Sequence, residues 1–247
     1  MEITWDNLLE RIKDRPLEHL GGLSPRLLDA YFIDYSEARQ FHGHQEIQGT
    51  FGLFEFNRWF VSNAYAGPQG WASYCLLLTN TDEEALDLFF EFRRLAKASD
   101  WAVEYRFPLA PTDHKPSFLA LIQSDALRKR PAMYFGNTNW IRAIWAMWSG
   151  YVWAEQDIGF KNSIDSDTFR GFQDWLKQRF GFAQDANFGK IFEFISLDIK
   201  EKALEDFFDH LELFLEGSPP EAPTKRFQSF LDDAVAAALK EQQRQSE

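Results

Sequence analysis

The chain matches itself in order over most of its length, and this constrains the fold more than any single motif does. Arg15-Pro16 and Gly21 precede Arg130-Pro131 and Gly136 by 115 positions. Farther on the spacing is 116, pairing Arg26 with Arg142, Ala30 with Ala146, Tyr35 with Tyr151, Ala38 with Ala154, Phe56 with Phe172 and Trp59 with Trp175. It then becomes 118, pairing Glu83, Ala85, Leu86, Phe89, Phe90 and Leu95 with Glu201, Ala203, Leu204, Phe207, Phe208 and Leu213. The order never breaks and the spacing shifts only in loop-like stretches, so the chain reads as an internal duplication.

Within each copy the apolar residues recur at three and four positions, the period of a helix with one buried face. Leu8, Leu9 and Ile12 mark a helix over residues 4–14 that Asp14-Arg15-Pro16 closes. Ser24-Pro25 opens the next with a capping hydroxyl and a proline at the first position, and Leu27, Leu28, Tyr31, Phe32 and Tyr35 follow. Leu53, Phe56, Trp59 and Phe60 predict a third, and Ile141, Ile144, Trp145, Trp148, Tyr151 and Val152 a helix in the second copy. Trp71 to Leu78 is short and wholly apolar, compatible with helix or strand. Capping boxes are expected at Thr81–Glu84 and at Asp198–Glu201.

The connector contains Pro108, Pro111 and Pro116, and the alternation Trp101, Val103, Tyr105, Phe107 permits a short strand there. Gly217 to Pro223 reads as a stiff linker, and Phe227 to Gln242 as a last amphipathic helix. The expected fold is mostly α: two tandem homologous helical repeats, residues 1–110 and 111–217, in a pseudo-two-fold relation. Minor or no strand is expected, with a Pro-rich linker and C-terminal helix over 218–247.

Composition limits the function. With 25 Phe and 9 Trp in 247 residues the core must be built from large flat rings. A net charge of -12 disfavours nucleic acid and anionic membrane surfaces, which attract Lys and Arg, and favours a basic protein partner. No run approaches the roughly 18 apolar residues of a membrane span, and the first residues carry no secretory pattern, so a cytoplasmic location is expected. The single cysteine, Cys75, sits in an apolar run and reads as a buried, inert thiol.

Few residues offer chemistry. His42-Gly43-His44 with Glu46 is the nearest approach to a metal set, but histidines two apart share a side only in a strand, and this stretch is loop-like. His19, His114 and His210 are scattered, with His210 at a partly buried helical position. Trp145, Trp148 and Trp153 lie at near-helical spacing, which suits a core better than a ligand pocket. No catalytic residue, cofactor or metal is therefore assigned, and the chain is read as a non-enzyme. The acidic helices stand out instead. Asp82, Glu83, Asp87 and Glu91 in one copy and Glu201, Glu205, Asp209 and Glu212 in the other are the expected partner-binding residues.

Two resemblances bear on this reading. Leu127-Arg128-Lys129-Arg130-Pro131-Ala132-Met133-Tyr134-Phe135-Gly136 resembles the R-K-R-P-G-M-Y-I-G stretch of type II topoisomerase ATPase subunits. That family needs an E-x-x-x-N helix for water activation and magnesium, and the helix after the motif has Ala146 and Gly150 at that spacing, so ATP hydrolysis does not follow. A structural role is expected: Arg-Pro ends a helix, Met133, Tyr134 and Phe135 anchor it, and Gly136 turns the chain. The tandem arrangement, the R-P-x-M-Y-x-G element and the acidic E-x-A-L-x-x-F-F helix are similar to small bacterial tandem-repeat helical proteins, some of them immunity proteins of polymorphic toxins. The resemblance implies a cytoplasmic antitoxin that neutralises a basic toxin domain through an acidic and aromatic surface. The alternatives are a ligand-binding regulatory module or an enzyme with a site between the two halves.

Overall fold

The computed structural model of the chain describes residues 3–44, 47, 56, 59, 60, 70–98, 117–135, 139–160, 163–182 and 186–220. These residues are mostly helical, with no strand among them. The possible strand at 101–107, the residues Leu53, Glu46 and Gly136, and the C-terminal helix at 227–242 lie outside the described residues.

Helix α1 (Trp5–Asp14) begins with a capping box: Asn7 N donates to the Thr4 hydroxyl at 3.3 Å, and Thr4 N donates to Asn7 Oδ1 at 3.0 Å. It buries Trp5, Leu8, Leu9 and Ile12, as their spacing predicts. Pro16 then starts a second short helix, α2 (Pro16–Leu20), where its missing N–H leaves no bond unmade. Gly21 ends α2 with φ +69, under the Trp145 indole, which a Cβ would meet at 2.5 Å. Backbone conformation and space both require glycine there.

Helix α3 (Pro25–Phe41) buries Leu27, Leu28, Tyr31, Phe32, Tyr35 and Ala38. The expected Ser24 cap is corrected: Ser24 occupies the N-cap position, but its hydroxyl bonds no amide of the first turn. The ambiguous apolar run is helix α4 (Gly70–Leu78), and α5 (Asp82–Ala98) follows. Thr81 caps α5, accepting from Glu84 N at 3.1 Å, while the Glu84 carboxylate accepts from Asn80 N at 3.0 Å. The reach-back of this box lands one residue earlier than the motif predicts.

After a short helix α6 (Phe118–Ile122), the R-K-R-P stretch runs from the end of α7 (Asp125–Lys129) into the start of α8 (Pro131–Phe135). Pro131 does separate two helices, but only Phe135 is buried; Met133 is 65% and Tyr134 41% exposed, which corrects the expected three-residue anchor. Helices α9 (Trp140–Asp157) and α10 (Ile164–Phe180) are capped by Asn139 and Ser163, and α11 (Phe188–Ile195) by Asn187. The last described helix, α12 (Lys200–Leu215), starts at Ile199 with no side-chain cap. Leu197 and Asp198 have φ of 53° and 60°, so Asp198 belongs to the turn and cannot serve as the predicted capping residue.

The core is organised by α3 crossing α9. Gly150 brings the two backbones together, since a Cβ on it would stand 2.2 Å from the Tyr31 carbonyl oxygen. On one side α5 packs on α3 and α4; on the other α12 packs on α7, α9, α10 and α11. Both flanks are filled by rings, with Phe56, Trp71 and Phe89 in one and Phe172, Phe192 and Phe207 in the other.

Candidate functional site

The eight acidic residues singled out in the sequence are all exposed on the outer faces of α5 and α12. The reason is helical period: Ala85, Leu86, Phe89 and Arg93 turn inward on α5, and Ala203, Leu204, Phe207, Phe208 and Leu211 on α12. Carboxylates crowd the first turn of α5, where the helix dipole favours them. The two faces are held by different neighbours, so the acids form two surfaces, one on each flank.

The surfaces also differ in how free their charge is. On α12, Arg128 reaches across from α7 and binds Asp209 at 2.7 Å and Glu212 through its other terminal nitrogen. This guanidinium also lies 5.3 Å over the Phe208 ring. The first arginine of the R-K-R-P stretch is thus a clamp on α12. On α5, Glu91 pairs only with Arg94 one turn on, and Glu91 sits below the usual carboxylate range because of that bond.

A second polar group, absent from the sequence reading, lies inside the α3–α9 crossing. Asp157, at the end of α9, accepts both terminal nitrogens of Arg11 at 2.9 and 2.6 Å and the Tyr35 hydroxyl at 2.6 Å. The bond to Asp157 raises the Arg11 pKa, and Arg11 also lies 4.9 Å over the Trp153 ring. Next to it His19, 1% exposed, sits 4.5 Å from Trp153 with the Tyr31 hydroxyl 3.4 Å from its Nδ1. Burial, reinforced by the Arg11 charge, lowers the His19 pKa to about 4.

A turn away, His42 Nε2 donates to Glu155 Oε1 at 2.9 Å, and the Ser166 hydroxyl donates to the other oxygen of the same carboxylate. Glu155, Ser166 and Asp165 are all buried, with Asp165 accepting from Leu119 N at 3.1 Å. Burial first, then the nearby Asp165 and Glu155, push the Tyr151 pKa far above its ordinary value. His42 is therefore a helix-end residue locked to α9, while His44 is exposed.

The tryptophans of α9 diverge. Trp145 packs on Phe188, Trp148 on Phe118 and Phe169, and Trp153 on His19. Cys75 is buried in α4 and its thiol is pushed up to about 12 by that burial, leaving it protonated at neutral pH. His210 is half-buried as expected, its Nδ1 donating to the Asp206 carbonyl at 2.6 Å.

Nothing in the local sequence pattern marks Arg11, His19, Asp157 or Glu155, because their partners lie up to 146 positions away. The one available signal is the 116-residue spacing of Tyr35 and Tyr151, which stand on the crossing helices α3 and α9. Among the described residues no helix is long and apolar enough to cross a membrane. Comparison with family models, with curated proteins and with solved structures finds no match to this chain.

Proposed function

We propose that the chain is a duplicated helical scaffold that binds a basic protein partner, with the outer faces of α5 and α12 as its contact surfaces. Support for the duplication comes from paired ring geometry at the positions that the sequence aligns. Phe56 and Trp59 stack at 6.0 Å and 25°, their counterparts Phe172 and Trp175 at 6.3 Å and 22°. Phe89 and Phe90 meet edge-on at 5.2 Å and 68°, Phe207 and Phe208 at 5.2 Å and 69°. Helices α2 and α8 both run five residues from a proline, 115 positions apart, and α4 and α11 begin 118 apart.

The observation that carries the functional reading is the division of labour among polar groups. The carboxylates of Asp157 and Glu155 are matched by Arg11, Tyr35, His42 and Ser166, whereas the carboxylates of α5 face solvent with little internal pairing. Such a surface speeds encounter with a basic partner and repels acidic ones. The partner class that best suits it is a basic toxin domain whose cleft attracts phosphates, with this chain as its non-catalytic immunity protein.

The test is capture by the full chain from its native cells, or co-expression with the product of the adjacent gene, read as a stoichiometric complex and as restored growth. Neutralising Glu83, Asp87 and Glu91 together as Gln, Asn and Gln should abolish capture while circular dichroism shows the chain still folded. Undiminished capture by that triple variant would remove α5 from the interface.

A further inference from the structure

Three helices begin around one cavity of about 480 Å³. Ser24 and Asn139, the N-cap residues of α3 and α9, line it, as does Asp82, the first residue of α5. Helices of 17, 17 and 18 residues thus turn their positive ends toward the same space. Arg26 and Arg142, one from each of α3 and α9, add two guanidinium groups to the wall.

Helix ends alone would not make this a site, but Ser24 adds an independent observation. It is 3% exposed, and its hydroxyl has no hydrogen-bond partner among the described residues although it stands at a capping position. An unmatched buried hydroxyl is destabilising, and a ligand atom in the cavity would remove that penalty. Arg26 likewise makes no ion pair or hydrogen bond among the described residues. Arg142 is different: its Nε donates to the buried Glu193, which also accepts from Asn139 Nδ2 at 2.6 Å. That pair of bonds fixes the Arg142 fork at the wall.

The opposite chemistry is also present. Leu23, Leu27 and Leu76 give the cavity an apolar side. A guanidinium fork matches the two oxygens of a carboxylate or phosphate, and the volume falls in the range of small-molecule pockets. We propose that this cavity binds the oxyanion head of a small, partly apolar molecule between Arg26 and Arg142, with the Ser24 hydroxyl donating to it. The binding needs no partner protein, and it meets the partner surface only at Asp82, the first residue of α5.

Calorimetry on the full chain with phenyl phosphate, benzoate and inorganic phosphate tests the idea. Phenyl phosphate or benzoate should bind one to one and more tightly than inorganic phosphate, and whichever is stronger assigns the head group. Arg26→Gln should weaken binding by about tenfold or more, and Ser24→Ala several-fold. Asp82→Asn removes the one carboxylate lining the cavity and should tighten binding, a gain that misfolding cannot produce. If Arg26→Gln does not fold, judged by circular dichroism, the Asp82→Asn result decides. Absence of saturable heat with all three probes, equal affinity in Arg26→Gln, or no gain in Asp82→Asn would overturn the proposal.

Discussion

Gly150 lies so close to Tyr31 that a single added methyl group would reach within 2.2 Å of the Tyr31 carbonyl oxygen, and backbone cannot rotate away as a side chain can. Gly150→Ala must therefore force α3 and α9 apart or distort both. Overpacking of this kind costs about 2–3 kcal/mol or more, and the loss should appear in urea unfolding at unchanged slope. Wild-type stability in Gly150→Ala would mean that the helices cross farther apart.

Asp157 ties three groups of the crossing together. In Asp157→Asn the Arg11 charge loses its partner while remaining largely enclosed, and the Tyr35 hydroxyl keeps only a weaker acceptor. Destabilisation of about 2–3 kcal/mol is expected, with Tyr35→Phe costing about 1 kcal/mol. A double-mutant cycle between Arg11→Met and Asp157→Asn should return a coupling energy clearly different from zero.

His19 makes stability depend on pH. Its pKa falls from 6.5 to about 4 on folding, so between those values the unfolded chain holds the proton and the folded chain does not. Stability is full above pH 6.5 and declines as pH falls toward 4, by up to about 1.4 kcal/mol per pH unit. Asp29 acts in the opposite sense: burial raises its carboxyl to about 6, so stability declines as pH rises from 3.8 to 6. Comparing wild type with His19→Gln cancels Asp29, and the stability of wild type relative to the variant should fall on acidification from 6.5 to 4. A constant difference would show that folding leaves the proton affinity of His19 unchanged.

The caps and inner faces were legible in the sequence because they are local. Leu8, Leu9 and Ile12, or Leu27, Leu28 and Tyr31, announce their burial by spacing alone, and Thr81 announces its cap. Ser24 and Asp198 did not behave as their motifs predict. A cap depends on side-chain rotamer and backbone φ, and at Asp198 a left-handed conformation moves the cap position onward. The acidic surfaces were legible as faces of helices, but not the way Arg128 occupies Asp209 and Glu212. Least visible were Arg11 with Asp157 and His42 with Glu155, where each side chain looks like an ordinary surface residue until the other half is folded against it.

Cys75 offers a probe of the same interior. With its thiol pushed up to about 12 and enclosed in α4, it should resist a disulfide reagent at pH 8 in the native protein and react fully in denaturant. Rapid native reaction would place α4 at the surface.

The crossing of α3 and α9 finally decides how the molecule comes apart. Each of these helices finds its main packing surface in the other, and Arg11, Tyr35 and His42 all hydrogen-bond to carboxylates of α9. Loosening either helix strips the other of its central support. Melting is then a single cooperative event, followed alike by tryptophan fluorescence and helical signal, with no stage at which one half stands alone.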